Sequence, residues 1–592
     1  MVPKVYMMFE QLPQNSSGKT DRRKPRIDAS KIGYVNLLKH PRNVVAEASQ
    51  RWANEKERML AQLWSTVLRQ DIQDINREDN FLALGGDSLA AIRLVPIARS
   101  KGLNLTTQEI LTCPVLKELA DVATAKDEVT DSRLSDIGHP NGEPRRPERD
   151  SVALKATDFQ EWAALVGARN GGWIDHFIYD YFGKLDVRRL QNSCQQLVAA
   201  HSILRSVFAF RENRVYMVVH PTTSITFDFH KAQTDLEAYS EQLYVRHRVS
   251  PLGAPILRFD LIEASATRHR LIMRLSHAQY DGFTAREVGS HLRLLYLGHD
   301  IPETLPFHEY VRNIQDQDFI RNAETFWKSR LQGSQMPKLV KHSRIGPPYN
   351  NTLSGELHRS IEEPNLRQHS VSSAAIVKSA WALVVSTLSQ STDVVFGDFA
   401  SGRQIQMPTI ETVFGPCVNF TPVRVQMDSS LTNLELIKQV QDDLFRAIPH
   451  EALGMNHIIQ RCTQWGPDAR YSSIVNFINY DAEAGDEDWG LDDGDGNGLK
   501  VKHLYEEQQH DKTDLWLLCL PSRQASTQGS HAKSFDLFLR YSKDVYQYRA
   551  AETIADMYCE ALRKLVGAPR SAVALPQVRD EDRAHLVPQI TV

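Results

Sequence analysis

A multidomain chain is predicted, with a small helical bundle over residues 51–125 and an α/β body running from about residue 151 to 570. Three observations predict it. At 592 residues the chain exceeds what one ordinary hydrophobic core supports. Leu60, Leu63, Trp64, Val67 and Leu68 recur at i, i+3, i+4, i+7 and i+8, the apolar stripe of an amphipathic helix. Beyond residue 151, short β-rich runs alternate with helical patterns, the signature of an α/β fold.

Residues 1–30 include Leu12 through Arg22, a polar, turn-rich and basic stretch. In the bundle, Asp79-Asn80-Phe81 leads into Leu84-Gly85-Gly86-Asp87-Ser88. Leu89, Ile92, Leu94, Val95 and Ile97 then mark a second helix, in which Pro96 predicts a kink or an end near Val95. Ser88 therefore stands at a helix N-terminus after two permissive glycines. That geometry exposes a hydroxyl and offers unpaired N–H groups to a phosphodiester. Residues 126–150 are charged and contain Pro and Gly, and read as a linker. Arg270–Leu275 has strand character and Thr284–Leu295 reads as a helix, so His277-x-x-x-Asp281-Gly282 falls in a strand-to-helix loop. The acidic, glycine-rich stretch Glu483–Asp495 is expected to be a mobile surface loop.

Composition limits the function classes. With 42% hydrophobic and 24% charged residues and a formal net charge of −4, the chain has no basic footprint for nucleic acid or an anionic membrane. Its apolar runs are far shorter than a bilayer span, and Met1–Phe9 lacks the regions of a signal peptide, so a cytoplasmic protein is expected. The six cysteines (Cys113, Cys194, Cys417, Cys462, Cys519 and Cys559) lie far apart without Cys-x-x-Cys spacing. Neither a metal site nor a disulfide framework is expected.

Plainer readings compete at each motif. Gly86-Asp87-Ser88 makes a turn and helix cap in any context. Gly86-Asp87-Ser88-Leu89 also spells the nucleophile block of the GDSL hydrolases, and Asp582 and His585 supply an Asp-x-x-His. Such a hydrolase needs its serine just after a buried strand, whereas Asp79–Leu84 follows a helix and has no β-branched run. Gly-x-Ser-x-Gly fails because Ala90 takes the last position. His277, ending a strand, reads equally as a satisfied core residue, and Asn419 as a core amide bonded to backbone.

The order of the motifs carries a resemblance. Gly85-Gly86-Asp87-Ser88-Leu89 resembles the serine loop of a peptidyl carrier domain, and Ser276-His277-Ala278-Gln279-Tyr280-Asp281-Gly282 resembles the active-site loop of nonribosomal peptide synthetase condensation domains. Ala199–Phe208, Pro251–Arg258, Val395–Arg403 and Val413–Pro422 resemble that family's other blocks, in family order. Leu12–Arg22 resembles the closing motif of adenylation domains, with Lys19 as its lysine. The resemblance implies an adenylation-domain remnant at 1–30, a four-helix carrier bundle at 51–125 and a linker at 126–150. A two-lobed pseudo-dimer like chloramphenicol acetyltransferase comes next, its lobes at 151–325 and 326–570, and then a tail at 571–592. Leu575–Arg583 resembles the connector that often follows a condensation domain, which leaves open a further adenylation domain after it.

The same resemblance implies roles. Ser88, beside Asp87, would carry covalent 4′-phosphopantetheine, whose thiol holds an acyl group. His277 would accept or orient the proton of an attacking amine, a task suited to a side chain titrating near neutrality. Asp281 would point into an ion pair, with Arg403 as first partner and Arg205 as second. Gly282 would let substrate approach a backbone N–H, and Asn419 would line a channel. Ser276 replaces the first histidine of the family's usual pair. The form Ser-His-x-x-Tyr-Asp-Gly-x-Thr, together with Ala156–Gln160, is most similar to fungal terminal condensation-like domains, which release peptides by cyclisation. Epimerisation domains carry Ser-Trp where this chain has Phe283-Thr284, and heterocyclisation domains replace the histidine with aspartate. The partners implied are a phosphopantetheinyl transferase, upstream modules or an adenylation domain in trans, and a peptidyl thioester. The alternatives are elongation with an acceptor carrier in trans and a non-catalytic docking module.

Overall fold

The computed structural model describes residues 52–68, 70–86, 88–125, 152–221, 224–232, 235–337, 339, 355–362, 366, 369–405, 407–466, 469–478, 489–491, 499–506, 513–521, 534–578 and 586. Lys19, Asp87, Asp582, His585 and the linker 126–150 lie outside them. Residues 1–59 and 60–592 form two compact units. Of the first, the described residues make the start of helix α1 (Glu55–Leu68), where the Asn54 side chain accepts the Glu57 N–H at 2.9 Å. The remaining elements belong to the second.

The apolar stripe read from sequence turns inward. Leu60 and Trp64 are fully buried, and the Trp64 ring meets Phe81 at 5.2 Å. Helices α2 (Ser88–Ser100), α3 (Thr107–Thr112) and α4 (Leu116–Val122) complete a four-helix bundle. Short strands β1 (Leu103–Asn104) and β2 (Thr124–Ala125) pair beside it. Of the kink or end expected near Val95, the end does not occur, since α2 continues through Pro96 to Ser100. Burial of Leu94, Val95 and Ala98 on either side of the proline offsets the single hydrogen bond it removes.

The first lobe begins with β3 (Val152–Lys155), α5 (Asp158–Asn170), β4 (Ile174–Phe182), α6 (Val187–Ala200), β5 (Ser206–Arg211) and β6 (Arg214–Val219). It goes on through β7 (Phe227–Lys231), α7 (Leu236–Arg246), β8 (Arg258–Ser265), β9 (Arg268–Ser276), α8 (Gly282–Leu297), β10 (Leu305–Pro306), α9 (Phe307–Ile314) and α10 (Gln317–Leu331). The second lobe contains β11 (Gly355–Glu362), α11 (Ser373–Ser389), β12 (Asp393–Ala400), β13 (Val413–Phe414), β14 (Asn419–Gln426), α12 (Asn433–Ala447), α13 (Met455–Cys462) and β15 (Ser473–Phe477). Beyond them run β16 (Trp489–Leu491), β17 (Leu499–Glu506), β18 (Leu515–Pro521), β19 (Ser534–Tyr541) and α14 (Tyr548–Gly567).

Two six-stranded sheets organise the lobes, in the orders β16-β17-β4-β9-β8-β7 and β11-β19-β18-β15-β12-β14. Strands β16 and β17 therefore belong to the first lobe's sheet although they come after β15 in sequence, which corrects the lobe boundary at 325. Trp489–Leu491 is likewise a strand, where the acidic stretch Glu483–Asp495 was expected to be all loop. Pairing against β17, and of β17 against β4, supplies the backbone partners that a short polar sequence does not advertise.

Strand β9 shows how charge is accommodated inside this sheet. Arg270 is buried, and its guanidinium donates to both oxygens of Asp180 on the neighbouring β4, at 2.6 and 2.8 Å. Burial opposes the charge, but these bonds and those to Glu237 hold the Arg270 pKa above its ordinary value. Among the described residues no helix is long and apolar enough to cross a membrane.

Candidate active site

The site is built where β9 ends. Register pairs Ile174 with Ser276 and Asp175 with Leu275, so β4 and β9 deliver Asp175 and His277 to the same sheet edge. The His277 N–H donates to the Trp173 carbonyl at 2.9 Å. Trp173 itself has φ 62°, a left-handed conformation that a bulky residue adopts only where its surroundings enforce it. Its indole ring meets the imidazole edge-on at 4.8 Å, and Tyr280 stacks on the imidazole at 4.3 Å.

His277 Nε2 lies 3.2 Å from Oδ2 of Asp175, a carboxylate with no solvent exposure. The Tyr280 hydroxyl donates to that same oxygen. Ser276, in the first position of the motif, is a turn former: its hydroxyl accepts the Ala278 N–H at 3.1 Å, and its carbonyl accepts the Gln279 N–H at 2.7 Å. Two buried amides pin the loop from outside. Gln160, locked by a reciprocal cap with Thr157 at the start of α5, donates to the Ala278 carbonyl at 2.9 Å. Gln279 donates to the carbonyls of Ile203, Leu204 and Ser206 at 3.3–3.4 Å.

Asp281 faces away from His277. It is the N-cap of α8, and its Oδ1 accepts the Thr284 N–H at 2.8 Å. Arg403 Nη2 donates to Oδ1 and Oδ2 at 3.0 and 2.8 Å, and both side chains are buried. Arg403 also donates to the carbonyls of Val413 and Gly415 at 2.7 and 2.8 Å and covers the Phe283 ring at 4.3 Å. Burial opposes the arginine's charge, yet the Asp281 carboxylate holds its pKa above the ordinary value. Gly402 lets the chain reach this pocket. It has φ 63°, and a Cβ there would lie 1.8 Å from the Cys417 carbonyl oxygen.

Other residues singled out from sequence land differently. Arg205, the second candidate for Asp281, donates instead to the carbonyls of Val198, Ala199 and His220, where it serves the C-terminal end of α6. Asn419 is buried with its amide bonded to backbone, accepting from the Phe420 N–H at 2.9 Å and donating to the Glu451 carbonyl at 3.0 Å. Gly282 opens α8 without using the left-handed freedom of glycine. Ser88 is the first residue of α2, after Gly85 at φ 99° and a Gly86 whose Cβ would meet the Phe81 ring at 2.4 Å. A helix N-terminus led by a tight glycine turn suits a covalently attached phosphodiester, so the described residues fit the prosthetic group that the motif implies.

Sequence reasoning missed Asp175, because its neighbour in space lies 102 positions away and only the β4–β9 register joins them. It also missed the burial of His201. The His201 ring stacks on Phe414 at 3.6 Å, and its Nε2 lies 2.9 Å from His291 Nδ1. Burial, with His291 and Arg205 adding to it, pushes the His201 pKa down to about 3. Burial likewise takes His176 down to about 4. Both pKa values are depressed on folding, so the stability they contribute is complete above about pH 6.5 and is lost as pH falls toward 4 and then 3. Urea midpoints should therefore drop steadily from pH 7 to pH 4, and His201→Gln should flatten that slope. An unchanged slope in the variant would contradict the assignment.

The condensation domain family model matches residues 158–587, and the phosphopantetheine attachment site model matches residues 58–123. The chain is 34% identical over 504 residues to nonribosomal peptide synthetase apmB of Penicillium brevicompactum, covering 82% of this chain and 21% of that protein. It is 27% identical over 607 residues to nonribosomal peptide synthetase benY of Aspergillus terreus, covering 97% of this chain and 52% of that one. The chain thus spans between a fifth and about half of these relatives. Among solved structures, that described as holo T3CT superposes with TM-score 0.60 at 22% identity, covering 76% of this chain and 98% of that one. The X-domain from teicoplanin biosynthesis gives 0.60 at 18% identity, covering 74% and 99%. At such identities the likeness is one of fold.

Proposed function

We propose, from the premise that this chain belongs to the condensation domain family of nonribosomal peptide synthetases and carries a phosphopantetheine attachment domain ahead of it, that it transfers an acyl group held at Ser88 to an amine. We further propose that the amine belongs to the tethered peptide, so that an amide closes a ring and frees the product. The observation that carries the reading is His277 Nε2 at 3.2 Å from the buried Asp175 carboxylate, at the end of a central strand.

4′-Phosphopantetheine on Ser88 supplies a terminal thiol that holds the acyl group as a thioester. The residues of the chain do the rest. Asp175 holds the His277 ring through Nε2, and the imidazole takes the proton of the attacking nitrogen. Asp175, itself fixed by Tyr280, orients the ring. Asp281 and Arg403 do not touch the reacting atoms in this scheme; they hold the loop and α8 in register. The similarity of the loop to fungal terminal condensation-like domains supports intramolecular attack. The partners proposed are a phosphopantetheinyl transferase and the upstream modules that build the peptide.

The test is intact-mass measurement after incubation with a phosphopantetheinyl transferase and a synthetic peptidyl-coenzyme A. The intact chain should gain one peptidyl-phosphopantetheine and then lose the peptide as a cyclic amide, whereas Ser88→Ala should gain nothing. Modification of Ser88→Ala would remove the carrier assignment. Release only after an aminoacylated carrier is added would replace cyclisation by elongation.

A further inference from the structure

The bundle led by Ser88 rests on the second lobe through two elements. Helix α2 meets the 3₁₀ turn Ile410–Thr412, and α3 meets α12. At the α3–α12 contact a cleft of about 400 Å³ stays open, bordered by Leu82 and Leu111 of the bundle and by Gln441 and Phe445 of α12. A contact so incompletely filled has the character of a transient interface and not of a shared core.

The contact of α2 with the 3₁₀ turn carries an ion pair. Arg99, in the last turn of α2, pairs with Oε1 of Glu411. The Glu411 side chain is only 7% exposed, and its other oxygen accepts no hydrogen bond among the described residues. The arginine of the bundle is thus the cation that the second lobe's buried carboxylate meets. Arg99 lies eleven residues, or about 16 Å of helix, from Ser88, so fixing that last turn sets the direction in which the first turn points.

Glu411 also stands at the head of the segment that closes the Asp281–Arg403 pocket. Within six residues of it, the carbonyls of Val413 and Gly415 accept from Arg403, and the Gly415 N–H donates to Thr284 Oγ1 at 3.1 Å. The Cys417 N–H donates to Asp281 Oδ2 at 3.0 Å. Segment 409–417 therefore touches the docked bundle at one end and the cap of the catalytic loop's helix at the other.

We infer that Glu411 is the docking residue for the chain's own carrier bundle, through Arg99, and that segment 409–417 couples arrival of the bundle to the positioning of Asp281 and Arg403. The inference rests on reading Ser88 as the donor of the acyl group. Glu411 and Arg99 are positioning residues: neither meets the reacting atoms.

The experiment uses the full chain with Arg99→Glu, with Glu411→Arg, and with both. Amide hydrogen exchange over residues 409–417, which needs no catalysis, should quicken in each single variant and return to the parental rate in the double. Release from loaded Ser88 should fall about tenfold in each single variant, the scale of a broken charge pair at an interface, and recover in the double. Turnover of a soluble peptidyl N-acetylcysteamine thioester, which needs no docking, should slow less than release from Ser88 does. Unaltered exchange in the single variants, no recovery in the double, or equal slowing of tethered and soluble substrates would each overturn the inference. A parental chain that turns over neither substrate would overturn the proposed function, while the exchange arm still decides the docking role.

Discussion

Alanine at His277 should leave Ser88 fully loadable and slow product release by about 10²- to 10⁴-fold, the usual worth of a positioned acid–base group. The separation of the two measurements is what makes the variant informative. Loading needs only the bundle, whereas the proposed release runs through an imidazole packed against Trp173 and Tyr280, far from Ser88 in sequence. Asp175→Asn keeps the volume and the hydrogen bond with Tyr280 but removes the charge beside Nε2. It should slow release by less than His277→Ala does. If Asp175 acts through the imidazole, adding Asp175→Asn to His277→Ala should cost nothing more, because groups that work as a unit are not additive. Release is monitored by chromatography of the freed peptide and loading by intact mass. A parental release rate in His277→Ala would remove the histidine from the mechanism, and a further loss in the double variant would make Asp175 an independent contributor.

Why Asp281 was legible in the sequence and Asp175 was not has a physical answer. Asp281 lies four positions from His277 in one contiguous loop, so the resemblance of that loop carried both residues together, while its cap on the Thr284 N–H emerges only from the structure. Asp175 belongs to β4, whose sequence IDHFIYDYF reads as a buried central strand and gives no hint of which neighbour its carboxylate will meet. Only strand register supplies that information, and register is a property of the assembled sheet. The same limit hid β16 and β17. Their local patterns are short, and the sheet they join begins more than three hundred residues earlier, at β4. Helical periodicity, by contrast, is local, which is why the Leu60–Trp64 stripe and helix α8 could be placed from spacing alone. Pro96 misled because its local cost was weighed without the tertiary burial of its neighbours.

Arg403→Ala should be the most destabilising single substitution at the site, costing about 3–5 kcal/mol by leaving the Asp281 carboxylate buried without its cation. The size reflects how many groups the guanidinium satisfies. One side chain satisfies both Asp281 oxygens and the carbonyls of Val413 and Gly415, which together tie β12's outgoing loop, the 413–417 segment and the first turn of α8 into one polar knot. Water cannot substitute readily where both partners are almost wholly buried. Arg403→Lys keeps the charge but offers a compact ammonium in place of a planar fork, so it should recover only part of the loss. Asp281→Asn should cost less than Arg403→Ala, since an amide oxygen still caps Thr284 and the arginine keeps two carbonyls, whereas Arg403→Ala leaves a buried carboxylate with only the Thr284 and Cys417 donors. Urea unfolding monitored by tryptophan fluorescence tests the order. Equal midpoints for Arg403→Ala and the parental chain would mean that Asp281 is satisfied without its arginine, and the knot would then play no part in holding the catalytic loop.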